Sequence, residues 1–326
     1  MIVVTGAAGF IGSALVWRLN ALGERDITCV DTRPTDAGAA NLAPLRYHGY
    51  LPHDRLVDAV RSRAWGSGLR CVFHLGACSS TTEMNWDYLR ANNLDYSRAL
   101  CLATLEAGAR YIHAGSAASY GDGSHGYSDD HGRLDELRPL NPYARSKHEF
   151  DLWARDSGAL ERIVSLKYFN VYGPNEWHKG DMRSMVCKGY EQIRDTGRVR
   201  LFKSGHPGVA DGGQRRDFIY VKDAVDLTLW FRDHPEHAGV FNAGTGEAVE
   251  WNRLIRAIFA ALGREPAIEY FDMPPQLAGR YQSFTQADTT KLRAAGYAAA
   301  FTPVEAAVSD YVANHLTTGH HLGETR

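Results

Sequence analysis

The stretch VTGAAGFIG, residues 4–12, places three glycines between an apolar run and a segment with helical spacing. The three are Gly6, Gly9 and Gly12. Glycines here permit a tight turn and let a pyrophosphate approach the backbone at a helix N-terminus. Asp31 ends the next apolar run, where a carboxylate can accept hydrogen bonds from ribose hydroxyls, although Arg33 could instead contact a 2′-phosphate. The stretch predicts a dinucleotide site and leaves NAD and NADP both open.

Apolar runs alternate with helical segments in the first third of the chain, and further apolar runs follow later. After the first glycine-rich unit come DITCVD, RCVFHLGA, RYIHAGS, RIVSLKYFNVYG and GVFNAG, with a long helical segment at about 86–106. Such alternation of fully apolar strands with helices predicts a Rossmann-type, doubly wound parallel α/β sheet. We expect residues 1–172 and 217–245 to form this dinucleotide-binding domain. Residues 173–216 and 246–326 would form a smaller C-terminal substrate-binding lobe, with the final TTGHHLGETR frayed.

The composition argues against several classes of protein. The formal net charge of −2 over 326 residues provides no basic field for nucleic acid or anionic lipid. The five cysteines and fourteen histidines show no metal-ligand spacing, so no metal is expected. Cys29 and Cys71 lie in apolar runs and are expected to be buried thiols. With no signal peptide and no membrane-length apolar run, the sequence predicts a cytoplasmic protein without membrane partners.

A candidate catalytic pair lies in NPYARSKHEF, residues 141–150. Tyr143 and Lys147 are four residues apart and therefore share one helix face. An ammonium group and a positive nicotinamide ring both favour the phenolate, which lowers the pKa of a tyrosine and lets it take a proton from an alcohol. Ser116, at the end of RYIHAGS, could hydrogen-bond the same substrate oxygen. An exposed helix face is the alternative for this pair, because YxxxK occurs often by chance.

These motifs together resemble the extended short-chain dehydrogenase/reductase family, whose members mostly modify nucleotide sugars. The resemblance extends over nearly the whole chain and includes NVYGP (170–174) and RDFIYVKD (216–223). Dehydratases of the family carry an Asp-Glu pair where this chain has Ala117 and Ala118. The resemblance therefore implies epimerase or simple oxidoreductase chemistry.

Further stretches resemble the branch of that family that inverts C6 of ADP-activated heptoses. They are HLGACSSTTE (74–83), FNVYGP (169–174), HKG (178–180), GRYQSFTQAD (279–288) and LRAAGY (292–297). This resemblance implies that Tyr143 and Lys179 are the two acid/base groups, supported by Lys147 and Ser116. From its position alone, Lys179 is more typical of a solvated surface charge.

The same resemblance implies two sets of binding residues. Besides the glycines, the cofactor would contact Phe10, Ile11, Asp31, Thr32, Leu75, Gly76, Ala77, Cys78, Ser79, Asn92, Tyr143, Lys147 and Val171. The ADP-sugar would contact Ser79, Ser116, Ala117, Asn170, Asp181, Lys188, Phe202, Lys203, Ser204, Gly205, Arg216 and Tyr281. Phe202 and Tyr281 could equally be core aromatics, and Cys78 is also readily explained by packing.

Some departures from the family bear on the cofactor and on the activity. NADP-dependent relatives carry lysines where this chain has Gly38 and His53, and an acid where it has Leu75, which favours NAD. A net NAD(P)-dependent sugar dehydrogenase or reductase, a 4-epimerase and a non-catalytic NAD-binding scaffold remain alternatives. The resemblance also implies a homo-oligomer, with a pentamer as one candidate assembly.

Overall fold

Apolar strands pair in parallel to form the central sheet of the computed structural model, which describes residues 1–32, 40–205, 207–274 and 282–324. The strands of these residues are β1 Ile2–Thr5, β2 Ile27–Asp31, β3 Gly49–Pro52, β4 Cys71–His74, β5 Arg110–Ser116, β6 Val164–Tyr168, β7 Asn170–Tyr172, β8 Val199–Phe202, β9 Arg215–Tyr220, β10 Gly239–Ala243, β11 Ala248–Glu250 and β12 Ile268–Phe271. Seven of them form the parallel sheet β10-β6-β5-β4-β1-β2-β3. Strand order reverses at β1, and α/β sheets bind ligands at the carboxyl edge beside such a point.

Helices cover both faces of this sheet. They are α1 Phe10–Ala21, α2 His53–Arg61, α3 Trp86–Leu89, α4 Tyr96–Glu106, α5 Pro142–Asp156, α6 Met185–Thr196, α7 Val221–Asp233, α8 Trp251–Ala261, α9 Thr290–Ala294 and α10 Val304–Tyr311. A π-helical turn, Arg90–Asp95, joins α3 to α4, so the helix predicted at 86–106 is continuous but locally widened. Among the described residues, no helix is both long and apolar enough to cross a bilayer.

Two hydrophobic cores result, one on each face of the sheet. Leu15 of α1 and Val225 of α7 belong to the first, and Leu100 of α4 and Phe150 of α5 belong to the second. Every residue of β1 and β4 is buried, as expected of parallel strands covered on both sides. The predicted doubly wound α/β fold is confirmed.

Smaller sheets extend the molecule beyond the carboxyl edge of the central one. Strand β7 begins two residues after β6 ends and pairs in parallel with β9, which pairs in antiparallel with β11. Strands β8 and β12 form a separate parallel pair. These additions place the NVYGP and RDFIYVKD stretches beside the edge where β1, β4 and β5 end.

Residues 320–322 near the end of the chain are packed, and the prediction of a frayed tail was wrong for them. Leu322 is 2% exposed, and its backbone N–H donates to Oδ1 of Asn175 at 3.0 Å. The His321 ring lies 4.6 Å from that of Trp177, and its Nδ1 lies 2.8 Å from Oδ1 of Asn41. Buried polar partners distant in sequence therefore fix a segment whose composition is typical of a loose end.

Candidate active site

The glycine-rich loop connects β1 directly to α1. Gly6 has a φ of 65°, and a Cβ on Gly12 would lie 2.0 Å from the Gly6 carbonyl oxygen. The loop could not close as it does with a larger residue at position 12. No side chain caps α1, and its first turn contains no acidic residue. The positive end of this helix is therefore available to a phosphate group.

Asp31 lies beside this loop at the carboxyl end of β2. Its Oδ2 accepts a hydrogen bond from the Ala8 backbone N–H at 3.0 Å, and its Oδ1 accepts one from the Thr32 N–H at 2.7 Å. The carboxylate is thereby fixed next to the glycine-rich turn. Arg33, the competing candidate, lies outside the described residues, as does Gly38.

A cavity of about 510 Å³ opens at the carboxyl edge of the sheet. The predicted cofactor residues that line it are Gly6, Gly9, Phe10, Ile11, Gly12, Asp31, Thr32, Leu75, Gly76, Ala77, Cys78, Ser79 and Asn92. His53 and Lys179 line it as well, whereas Tyr143, Lys147 and Val171 are not part of its wall. A loop far from the glycines in sequence thus contributes to the same cavity.

Helix α5 positions the candidate catalytic pair. It begins at Pro142, and the Asn141 side chain caps it by accepting the Ala144 N–H at 2.8 Å. Tyr143 lies in the first turn and forms a side-chain hydrogen bond with Ser116, which ends β5. The structure therefore brings Tyr143 and Ser116 into contact, as their proposed shared task requires.

The ionisation of this pair is controlled mainly by burial. Burial raises the pKa of Tyr143, although its hydrogen bond with Ser116 acts in the opposite direction. This net direction is opposite to the sequence-based expectation, which also counted the charge of a bound nicotinamide ring. Lys147 is 2% exposed, and burial lowers its pKa to about 8 against the opposing charge of Asp151. So low a pKa is unusual for a lysine, and lysines with lowered pKa values occur often at functional sites.

Lys179 does not behave as a freely solvated surface lysine. It lies on a short 3₁₀ segment, Trp177–Met182, between β7 and α6, and it is only partly exposed. Its Nζ lies 5.1 Å from the centre of the Phe10 ring, at the start of α1. Burial lowers the pKa of Lys179, and the charge of Glu176 raises it. The ammonium therefore projects into the cavity that the glycine-rich loop lines.

Sequence reasoning missed Asn93, which holds one wall of the cavity. Its Oδ1 accepts the Cys78 N–H at 2.8 Å, and its Nδ2 donates to the Cys78 carbonyl at 2.9 Å and to Ser146 Oγ at 3.0 Å. Asn93 therefore ties the 75–79 loop to α5. A signal was available, because Asn93 occurs four residues after the buried Leu89 and thus lies on the apolar face of its helix.

Three of the predicted sugar-nucleotide residues, Asn170, Phe202 and Arg216, lie on strands of the smaller sheets. Arg216 on β9 is 6% exposed and so is not an open surface charge. The carboxylate of its neighbour Asp217, another residue not predicted, accepts backbone hydrogen bonds from Thr245 at 2.8 Å, Gly246 at 2.9 Å and Ala287 at 3.0 Å. Asp217 thus joins β9 to the 285–287 segment and fixes the backbone around Arg216.

The other residues predicted to bind the sugar nucleotide lie on several different elements. Lys188 Nζ donates to the Asp181 carbonyl at 3.0 Å, and the Phe202 ring packs 4.9 Å from that of Phe271. Lys203 pairs with Asp272 at 3.0 Å. Asn170 begins β7, Ala117 follows Ser116 in a buried turn, and Ser204 and Gly205 follow β8. Ser79 is the one member of this set on the cavity wall, and Tyr281 lies outside the described residues.

These features fit a dinucleotide cofactor. The uncapped N-terminus of α1 suits a pyrophosphate, and the fixed Asp31 carboxylate suits a ribose diol. Ser116, Tyr143 and Lys179 lie on three separate elements, and Lys179 lines the cavity. Such a site can accept and return a hydride while protons move at a substrate oxygen.

Residues 2–244 match the sequence model of a family described as the NAD dependent epimerase/dehydratase family. A protein of Nitratidesulfovibrio vulgaris (strain DP4), named ADP-L-glycero-D-manno-heptose-6-epimerase, is 54% identical over 316 residues, covering 97% of this chain and 98% of that relative. A protein of the same name from Fusobacterium nucleatum is 41% identical over 325 residues, covering 97% of this chain and 98% of that relative.

Solved structures share the fold. The Helicobacter pylori ADP-L-glycero-D-manno-heptose-6-epimerase superposes with a TM-score of 0.80 at 24% identity, covering 97% of this chain and 96% of that one. MoeE5 in complex with UDP-glucuronic acid and NAD superposes with a TM-score of 0.74 at 25% identity, covering 98% of this chain and 99% of that one. The second of these structures contains NAD, and the matching family is NAD-dependent.

Proposed function

Because this chain belongs to the NAD dependent epimerase/dehydratase family, we propose that it inverts C6 of an ADP-activated heptose. The reaction converts ADP-D-glycero-D-manno-heptose into its L-glycero epimer through a transient 6-ketone. Relatives that carry the corresponding name are 54% and 41% identical over almost their full lengths, which supports this substrate class.

The chemistry of C6 explains why redox catalysis is needed. The hydrogen on this carbon has no adjacent carbonyl group, so no side chain could remove it as a proton. A bound nicotinamide supplies reversible removal and return of a hydride at this carbon. Because C6 is exocyclic, rotation about the C5–C6 bond can present the other face of the ketone before the hydride returns.

The protein would supply two acid/base groups for this cycle. Tyr143 would act on the substrate oxygen from α5, assisted by the Ser116 hydroxyl, and Lys147 would orient the cofactor. Lys179 would act on the same oxygen after rotation. The observation that carries this proposal is that the Lys179 ammonium reaches the cofactor cavity beside Phe10, on an element separate from Tyr143. One acid/base group suffices for a net dehydrogenase, whereas an epimerase of this type benefits from two.

We further propose that the bound cofactor is NAD. The Asp31 carboxylate beside the glycine-rich loop can accept hydrogen bonds from a ribose diol and would repel a 2′-phosphate. His53 lines the cavity where NADP-dependent relatives carry a lysine. Mass spectrometry of the ligand released from purified protein tests this assignment, which NADP in the released fraction would refute.

The cellular setting is proposed on the same grounds as the activity. We propose a cytoplasmic homo-oligomer whose product supplies the heptose of surface polysaccharides such as lipopolysaccharide. Residues 1–172 and 217–245 would bind the dinucleotide, and residues 173–216 and 246–326 would bind the sugar nucleotide. Light scattering of the purified protein tests the oligomeric state, and a monomer at micromolar concentration would contradict it.

The decisive experiment uses purified enzyme, ADP-heptose deuterated at C6, and no added cofactor. We expect inversion at C6 with retention of deuterium and no accumulation of reduced nicotinamide at 340 nm. Stoichiometric formation of reduced cofactor would instead identify a net sugar dehydrogenase. Inversion of a UDP-hexose at C4, with ADP-heptose unchanged, would identify a 4-epimerase.

A further inference from the structure

One buried carboxylate closes the loop that carries Lys179. The Glu176 side chain is 0% exposed, and its Oε1 accepts hydrogen bonds from the Gly173 N–H at 3.4 Å and from Ser184 Oγ at 2.6 Å. Its Oε2 accepts the Ser184 N–H at 2.5 Å. Gly173 ends the NVYG stretch and Ser184 caps α6, so both ends of the loop bind the same carboxylate.

The same residue also contacts the C-terminal part of the chain. Tyr311, the last residue of α10, donates its hydroxyl hydrogen to Glu176 Oε1 at 3.1 Å. Tyr311 is itself fully buried, so this contact anchors the loop against a rigid helix. The neighbouring Asn175, held at a φ of 77°, donates through Nδ2 to Ser13 Oγ of α1 at 3.0 Å. The loop is thus fixed to both α1 and α10.

Glu176 acts on Lys179 in two ways. The Lys179 backbone N–H donates to the Glu176 carbonyl at 3.0 Å, which sets the turn from which the lysine side chain projects. Burial lowers the pKa of Lys179, and the negative charge of the Glu176 carboxylate opposes that shift. Burial also raises the pKa of Glu176, against its hydrogen bonds with Ser184 and the charge of Lys179. Backbone geometry and side-chain charge therefore both connect Glu176 to the ammonium in the cavity.

We propose that Glu176 is a positioning residue for the reaction, closing the 173–184 loop so that the Lys179 ammonium is held at the cofactor cavity. This inference rests on the role of Lys179 in the proposed function. The Glu176 side chain is buried within the loop and is not part of the cavity wall, so it acts through Lys179. A loop without this carboxylate would leave the Ser184 and Gly173 donors without their acceptor.

The other groups around Glu176 change charge little near neutral pH. Besides Lys179, the groups that face it are Tyr311 from α10 and Cys187 from α6. Burial raises the pKa of Cys187 to about 11, which keeps it a neutral thiol. Arg183, beside Cys187, forms an ion pair with Glu191 that raises the pKa of the guanidinium. Because His178, His53 and Asp31 line the same cavity as Lys179, a change in the pH–rate profile is assigned to Lys179 by labelling that residue itself.

The test compares Glu176→Gln with Tyr311→Phe, which removes one hydrogen bond from the carboxylate but leaves its charge. We expect Glu176→Gln to lower kcat by about 10²-fold, as misplacement of a reacting group does, with KM nearly unchanged and the cofactor retained. Loss of the anion lowers the pKa of Lys179, so the corresponding limb of the pH–rate profile moves to lower pH. In Tyr311→Phe that limb should stay in place.

A second measurement is independent of the substrate. Competitive acetylation of the folded protein, followed by mass spectrometry of the peptide that contains Lys179, gives the pH midpoint of its labelling. The midpoint should fall in Glu176→Gln and stay unchanged in Tyr311→Phe, and an unchanged midpoint in both would overturn the inference. A shifted midpoint in a protein that leaves ADP-heptose unchanged would refute the proposed function alone.

Glu176→Asp keeps the experiment decisive if Glu176→Gln does not fold. Aspartate retains the charge but is one methylene shorter, so it cannot reach both Gly173 and Ser184 as glutamate does. We expect a reduced kcat with the labelling midpoint near that of the wild type. Wild-type turnover in Glu176→Asp would show that closure of the loop by this carboxylate is dispensable.

Discussion

The two proposed acid/base groups are held by different means, Tyr143 on a helix side of the site and Lys179 on a loop side. Tyr143 and Lys147 lie on α5, a 15-residue helix packed against the central sheet. Lys179 lies on a short turn, next to Gly180 with a φ of 55°, and side chains rather than a helix fix that turn. A helix places residues by its own periodicity, whereas a loop depends on partners that are distant in sequence.

A buried ion pair supports the helix side. Asp151 of α5 and Lys167 of β6 are both fully buried, and their Nζ and Oδ2 atoms lie 2.7 Å apart. Ser165 Oγ donates to Asp151 Oδ1 at 2.6 Å, and Lys167 Nζ donates to Ser119 Oγ at 2.7 Å. Ser119 in turn donates to the Ser116 carbonyl at 2.8 Å. The pair therefore connects α5 to the strand end that carries Ser116.

The largest effect is expected on the helix side. Tyr143→Phe removes the phenolic proton carrier, and we expect kcat to fall by about 10⁴-fold with bound cofactor and unfolding midpoint retained. Steady-state assays of C6 inversion measure this. Tyr270→Phe, which changes a partly exposed tyrosine on β12, is the control and should keep wild-type turnover. A Tyr143→Phe enzyme within tenfold of wild type would exclude Tyr143 as the acid/base group.

Breaking the ion pair should destabilise the whole domain. Asp151→Asn leaves the Lys167 ammonium buried without a counter-ion, and we expect the free energy of unfolding to fall by about 3–5 kcal/mol. Urea unfolding followed by circular dichroism measures the loss. Asp195→Asn, in an exposed pair with Arg194, should leave the midpoint unchanged. Equal midpoints for the two variants would show that the buried pair is not a structural support.

On the loop side, the loss should be in turnover rather than in stability. Lys179→Met removes a partly solvated ammonium while keeping its apolar stem over Phe10, so we expect kcat to fall by about 10²-fold. The unfolding midpoint should not change. Lys222→Met removes a partly buried lysine that pairs with Asp310 and is not part of the cavity wall, so it should retain wild-type turnover. A lysine that is only a solvated charge would predict equal rates for both variants.

The smallest effect is expected from the C-terminal tail. Leu322→Ala leaves a small cavity under the tail and should lower the free energy of unfolding by about 2 kcal/mol. Because Leu322 packs beside Asn175, hydrogen exchange of residues 174–183 should also accelerate. The control is Leu102→Ala on α4, where the side chain is 45% exposed. It should change neither the free energy of unfolding nor the hydrogen exchange of residues 174–183. Unchanged hydrogen exchange of residues 174–183 in Leu322→Ala would show that the tail does not stabilise the loop.

Local patterns were sufficient to predict which elements carry the glycine-rich loop, Asp31, Tyr143 and Lys147. The glycines of VTGAAGFIG and the four-residue spacing of Tyr143 and Lys147 carry their geometry within one element. The position of Asp31 follows from the parallel pairing of β2 with β1. Each of these predictions uses a period or a turn that a short stretch of sequence determines.

The supports of the loop side were not predictable in this way. Glu176 binds Ser184 and Tyr311, and Asn175 binds Leu322, which is 147 residues away. Such side-chain contacts have no period, and their residues are typical of solvated loops when seen alone. The frayed-tail prediction failed for this reason, because composition does not show where a buried acceptor lies.

The π-helical turn at Arg90–Asp95 makes chain length itself informative. Such a turn amounts to one residue inserted into an otherwise α-helical segment. Deleting a residue there would rotate helix α4 by about 100° relative to helix α3. Either Asn93 would then lose its hydrogen bonds with the Cys78 backbone, or Ser97 would lose its hydrogen bond with the His74 ring. In an alignment of relatives, a single gap between Trp86 and Glu106 therefore marks proteins that hold the 75–79 loop by another arrangement.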